Sequence, residues 1–307
     1  MQSFFKLIRW KNLLMIALVQ YLIKYALLLP FTESHGVMTS LDHFHFALLV
    51  LSTMCIAAGG YVINDIYDLT TDAINKPEKI IINRQISEKN GFTIFMVLNI
   101  IGVVLGFYLA NHVGKSALFV VFFAASALLY IYASALKQML LVGNIVVSVV
   151  IALSILTIGI FELFPIMNAN NKSVQILFFN IIRDYAIFAF AINLVREIIK
   201  DIEDIDGDHK AGMNTLPIAI GRERANKVAF IVVLLTLFSV IYYVITYLFT
   251  QQLVIGYFLI LVIAPLIYVC IKIFNAEHKG QYNHISQILK LIMLTGMLSL
   301  ALYKFVI

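Results

Sequence analysis

Charged residues are scarce in this chain, and the residue patterns behind the commonest enzyme chemistries are missing. Asp, Glu, Lys and Arg make up 13% of 307 residues, against 62% apolar, and the mean hydropathy is +0.94. Soluble domains run at about 45–50% apolar, so this excess points to a bilayer. No polar segment is long enough for a second, soluble domain. There are two cysteines. Cys55 and Cys270 both lie in hydrophobic stretches, with no Cys or His at ligand spacing. That excludes a disulfide framework and a zinc cluster, and leaves them as small apolar fillers. No CxxC, Gly-rich phosphate loop or Ser/His/Asp order appears, so redox, nucleotide and nucleophilic chemistries lack support. The net charge of +5 is scattered between apolar runs, which argues against nucleic acid as a partner. Lys6, Arg9 and Lys11 precede an apolar run too long for a cleavable signal peptide, with no small-residue cleavage site.

Long apolar runs are abundant. Nine stretches reach the roughly 20 residues that cross a hydrocarbon core as a helix: 12–31, 44–63, 92–111, 115–134, 139–160, 177–196, 227–250, 253–273 and 286–306. Lys24 interrupts the first, and Arg183 with Asp184 the sixth, where they pair or sit at the outer interface. With the N-terminus inside, 16 Lys and Arg fall in cytoplasmic segments and 3 (Lys115, Lys172, Lys304) in outer ones. The positive-inside rule therefore predicts a cytoplasmic N-terminus and an outer C-terminus. The two longest polar connections, about 64–91 and 197–226, then share the cytoplasmic side. Asp68 to Asp204 and Asp72 to Asp208 are both 136 residues apart. This common offset predicts an all-α membrane fold of two pseudo-repeated four-helix halves plus a ninth helix, as one domain over 1–307.

Chemistry concentrates in the two acidic runs, which hold 8 of the 17 carboxylates. In the first, Asn64, Asp68 and Asp72 share a helical face, flanked by Asp65; in the second, Asp201, Asp204 and Asp208 do. Like charges at this spacing repel, so a cation is expected to offset them. The ligands are all oxygens, which favours a hard ion over zinc. Mg2+ accepts one or two carboxylates and takes its remaining ligands from water and phosphate. Two such clusters facing across a cavity would bind a diphosphate they would otherwise repel. Lys137, in a connection too short to need an anchor, and Arg84 would grip the diphosphate oxygens. Lys76, Lys79 and Lys89 either join them or act as interfacial anchors. Asn12 and Asn144 are pocket donors, or else cap or pair helices. His43, His45 and His209 carry little. Some of the 23 Phe and 15 Tyr would shield an allylic cation.

These motifs resemble those of the UbiA superfamily of intramembrane prenyltransferases. The pattern NDxxDxxxD is met by Asn64, Asp65, Asp68 and Asp72. DxxxD with a following GxxT is met by Asp204, Asp208, Gly212 and Thr215. YxxxLK with a downstream GN matches Tyr132, Leu136, Lys137, Gly143 and Asn144, and RxxN matches Arg9 and Asn12. The runs Arg196–Asp204 and Ile74–Pro77 look most like the geranylgeranylglycerol-phosphate geranylgeranyltransferase branch. Where that branch is Arg-Pro-rich and closes with Gly, this chain reads Pro77-Glu-Lys-Ile-Ile-Ile-Asn-Arg-Gln-Ile-Ser87.

The resemblance implies nine helices around a central cavity, Mg2+, and ionisation of a polyprenyl diphosphate followed by condensation with a hydrophobic or amphiphilic acceptor. That acceptor is an aromatic quinone precursor, a lipid glycerol phosphate such as a prenylglycerol phosphate, haem or a chlorophyllide. Asp68, Asp72, Asp204 and Asp208 would hold the metal, with Asn64, Asp65 and Asp201 completing the shell and Glu197 and Lys200 facing the acceptor. No obligate protein partner is expected. A terpene cyclase on the same scaffold and a secondary transporter are the rival readings. Against the transporter, the acids cluster at span ends and the spans have few Gly or Pro breaks.

Overall fold

The computed structural model describes residues 2–306, among which there are nine helices long and apolar enough to cross a membrane. They are α1 (Trp10–His35), α2 (His43–Tyr67), α3 (Glu88–His112), α4 (Ser116–Ser134), α5 (Val142–Glu162), α6 (Lys172–Lys210), α7 (Arg222–Leu248), α8 (Gln252–Phe274) and α9 (Lys279–Phe305). Each of the nine expected spans lies wholly or largely within one of them. The chain is a multi-pass integral membrane protein. Phe44, Ile100, Leu235, Ile260 and Phe274 are among the large apolar side chains left facing outward, as lipid contact requires.

One expectation needs correction. The second acidic run is not in a loop, because α6 continues through it for 39 residues to Lys210. No Pro interrupts the segment, and its one Gly stands three residues from the end. Ile198, Ile199 and Ile202 are buried, which carries an apolar stripe past the membrane edge. At 1.5 Å per residue the helix is roughly 58 Å long. A hydrocarbon core is about 30 Å thick, so much of the remainder stands clear of it as a rigid arm.

Each motif helix packs along the antiparallel helix that follows it, α2 on α3 and α6 on α7. The largest apolar cluster joins the motif end of α6 to α7, α8 and α9. Two others join α1 to α5 with the opposite part of α6 and the end of α9. The two halves meet where α4 packs against α5 and the segment Leu69–Asn75 against α6, while the ninth helix reaches α6 and α1.

Lys24 is fully buried, with a partner. Its Nζ donates to Glu162 Oε1 at 2.8 Å and to the Leu41 carbonyl at 2.7 Å, and the Leu41 N–H donates to Glu162 Oε2 at 3.2 Å. A paired and hydrogen-bonded charge is the form in which a buried lysine is tolerated. Arg183 and Asp184 likewise pair, at 2.9 Å.

Candidate active site

The first motif spans a joint. α2 ends at Tyr67, Asp68 caps it, and a short helix runs Leu69–Asn75. Backbone bonds bridge the joint on both sides of Asp68. Asp68 N–H reaches the Asn64 carbonyl at 2.9 Å, and Asp72 N–H reaches that of Asp68 at 2.8 Å. The four-residue spacing therefore keeps Asn64, Asp68 and Asp72 on one side. Asn64 Nδ2 donates to Asp68 Oδ2 at 2.6 Å, which fixes that carboxylate.

Asn75 ties the two motifs together. Its Nδ2 donates to the Asp204 carbonyl at 2.9 Å, and its Oδ1 accepts from Gly207 N–H at 3.1 Å. The approach requires glycine, since a Cβ on Gly207 would stand 2.3 Å from Asn75 Nδ2.

The result is one polar cavity lined by Asn64, Asp65, Asp68, Asp72, Asp201, Asp204 and Asp208, with Lys76 and Lys137 among them. Each motif is matched by a lysine. Lys137 pairs with Asp68, and Lys76 Nζ lies 2.5 Å from Asp204 Oδ2. Arg9, in a left-handed conformation at φ 50°, pairs with Asp65 at 2.7 Å. Lys137 rides on a turn pressed against the start of α5, where a Cβ on Gly143 would meet Lys137 Cα at 2.6 Å. Burial pushes the Lys137 ammonium down to about 8, while Asp208 pulls it upward. Asp72 is raised by burial first, then by Asp65 and more weakly by Asp204.

Other expected residues are placed differently. Arg84 does not line the cavity: it is exposed on the turn Ile81–Ile86, whereas Lys76 lines it. Asn144 is a helix-pairing residue, donating to Asp201 Oδ2 at 2.8 Å. Glu197 accepts from Arg196 at 3.0 Å and from Lys200 at 2.8 Å, and Glu197 and Lys200 both line the cavity. Asn12 borders two apolar cavities beneath the polar one. Asp206 is exposed and off the cavity, as its position off the shared face predicts. Reading the sequence missed Asn75 and Arg196. Asn75 stood inside a motif already quoted, and Arg196 sits one turn before the second acidic run.

The residues fit a hard divalent ion. Asp204 Oδ1 is buried with no hydrogen-bond partner, an acceptor that calls for a cation. Among the described residues no three His, Cys, Asp or Glu side chains converge into a ready-made metal cage. That suits Mg2+, which takes few protein ligands and completes its shell with water and phosphate oxygens. Asp68, Asp72, Asp204 and Asp208 are the carboxylates that would hold it.

Two apolar cavities adjoin the polar one from the membrane side. The first lies among α1, α2, α4, α5 and α6, the second among α1, α5, α6 and α9. Arg196 borders all three cavities, and Tyr132 stands between the polar one and the first apolar one. The site is thus a charge-lined head with apolar space below it.

A model of the UbiA prenyltransferase family matches residues 27–286, which include both acidic motifs. The chain belongs to this family. It is 31% identical over 272 residues to the digeranylgeranylglyceryl phosphate synthase of Methanosphaera stadtmanae, covering 86% of this chain and 91% of the relative. A digeranylgeranylglyceryl phosphate synthase of known structure superposes with a TM-score of 0.64 at 22% identity, over 98% of this chain and 97% of that one. A UbiA homologue from Archaeoglobus fulgidus, bound to GPP and Mg2+, does so with a TM-score of 0.56 at 17% identity, over 97% and 99%. The chain is therefore a prenyltransferase, and its relatives share its fold from end to end.

Proposed function

We propose that this prenyltransferase moves a polyprenyl group of geranylgeranyl type from its diphosphate to the hydroxyl of a prenylglycerol phosphate. The observation that carries the reading is the single cavity in which both Asp motifs face Lys76 and Lys137 above apolar space. The name of the Methanosphaera relative supports the acceptor class. Mg2+ bound at Asp68, Asp72, Asp204 and Asp208 would supply positive charge that holds the diphosphate and stabilises it as it departs.

The protein's own groups do the rest. Lys76 and Lys137 exchange their carboxylate partners for diphosphate oxygens and place the allylic carbon over the apolar cavity. The C1–O bond breaks with both electrons leaving on the diphosphate. The acceptor hydroxyl oxygen forms the new C–O bond, and its proton passes to the released diphosphate. Asn64 and Asn144 hold the Asp68 and Asp201 carboxylates in place, Asn75 holds the backbone that carries Asp204, and the surrounding side chains exclude water that would otherwise capture the cation. The basic asymmetry between the loops supports a cytoplasmic N-terminus and a cytoplasmic site.

The test is transfer itself. Purified protein in lipid nanodiscs receives radiolabelled geranylgeranyl diphosphate, Mg2+ and either geranylgeranylglyceryl phosphate, 4-hydroxybenzoate or no acceptor. Label should move to the glycerol phosphate lipid. Transfer only to the aromatic acid, or a cyclic hydrocarbon formed without acceptor, would refute the assignment.

A further inference from the structure

Lys290 lies on α9, eleven residues from its start, roughly 16 Å along the helix. It lines the second apolar cavity, whose other polar residues include Asn12, Asn193 and Arg196. An ionisable residue within a span is costly, and its partner reveals its role. Lys24 has Glu162. Lys290 is half-buried and has no ion pair among the described residues, and the cation that shares its cavity is Arg196. Arg196 beside it bonds Glu197 through one nitrogen, while its Nε is buried with no partner.

In the diphosphate cavity Lys137, Lys76 and Arg9 are each engaged by an Asp of the first or second motif. The unpaired charge of Lys290 lies outside that cavity. It stands at the neck of the α1–α9 cavity, where the surroundings are apolar. A ligand complementary to that neck carries one anionic head and a long apolar chain.

We propose that Lys290 and Arg196 form a second anion site, which takes the phosphate of the acceptor lipid while the acceptor's chain occupies the α1–α9 cavity. This rests on the prenyl-transfer reading and adds how the acceptor is chosen. Arg196 borders the diphosphate cavity as well, so the two anionic heads are held side by side while their chains descend into different cavities. An aromatic carboxylate would satisfy the charge and leave the cavity unfilled. A prenyl alcohol would do the reverse.

The experiment measures binding directly, without donor, on the full chain in nanodiscs by thermophoresis. The probes are geranylgeranylglyceryl phosphate, the corresponding alcohol, dioleoyl phosphatidate and 4-hydroxybenzoate. The unsubstituted protein should prefer the phosphate lipid over its alcohol by about tenfold or more, the scale of one charge-assisted contact. Lys290→Gln should cut that preference about threefold or more, on the order of half such a contact since Arg196 remains. Lys290→Arg should keep most of it. In turnover, Lys290→Gln should raise the acceptor KM and leave the donor KM in place.

No carboxylate is orphaned by Lys290→Gln, so its thermal midpoint should not fall, and misfolding is separable from lost binding. An unchanged phosphate preference in Lys290→Gln overturns the proposal. So does phosphatidate binding as tightly as the prenyl lipid, which would make this a site for bulk membrane phospholipid. Lys290-dependent binding without transfer would uphold the anion site and refute the acceptor chemistry assigned above.

Discussion

Gly207→Ala should uncouple the two acidic motifs, and the energetics can be worked from the structure. The new Cβ would lie 2.3 Å from Asn75 Nδ2, 2.5 Å from Cγ and 2.6 Å from Oδ1, so Asn75 must swing away. That movement breaks two part-buried hydrogen bonds, to the Asp204 carbonyl and from Gly207 N–H. Each contributes about 0.5–1.5 kcal/mol. Replacing an internal helical glycine by alanine returns about 1 kcal/mol. The net loss is therefore roughly 0–2 kcal/mol, within what a fold survives. Activity should suffer more, because a displacement of about 1 Å in a reacting constellation costs on the order of 100-fold.

The sign is the sharper test. In an Asn75→Ala background nothing obstructs the Cβ, so Gly207→Ala should stabilise by up to about 1 kcal/mol. Unfolding can be followed with a thiol-reactive dye, since Cys55 and Cys270 are both buried and free. A Gly207→Ala effect of the same sign and size in both backgrounds would refute the Asn75 clamp.

Three further outcomes are expected. Turnover should vanish in excess EDTA and return with Mg2+ or Mn2+ but not with zinc alone, because the ligands are oxygens; full turnover without metal counts against the carboxylate roles. Asp68→Ala and Asp204→Ala should each abolish transfer, with the double variant hardly worse and Asp206→Ala retaining most activity; multiplicative losses in steady-state assays would show two independent sites. Single cysteines placed at Asn75 and Asp206 should react with impermeant thiol reagents only from the cytoplasmic side, and labelling from outside would invert the topology.

The nine spans and both motifs were legible because they depend on local quantities. Hydropathy over about 20 residues decides membrane crossing, and i, i+4 spacing decides a helical face. Both are properties of neighbours in sequence. What failed depended on continuation or on tertiary position. A polar composition after residue 197 looked like a loop, yet the buried Ile198, Ile199 and Ile202 kept α6 helical to Lys210. Arg84 and Lys76 are both basic residues shortly after the first motif, and charge alone does not separate them. The path of the backbone between them decides the matter. The turn at Ile81–Ile86 leaves Arg84 exposed, while Lys76 faces Asp204.

The basic residues inside spans show where the sequence stops speaking and physics resumes. Lys24, Arg183 and Lys290 look alike as isolated charges in apolar runs. A carboxylate 138 residues away neutralises Lys24, and one adjacent in sequence neutralises Arg183. Neither then needs a ligand, and each is accounted for by its pair. Lys290 shares an apolar cavity with Arg196 and is half-buried, and no carboxylate among the described residues pairs with it. A cation left in that position is complementary to an anionic ligand. In a prenyltransferase whose donor diphosphate already has its own lysines, the remaining anion is the acceptor's.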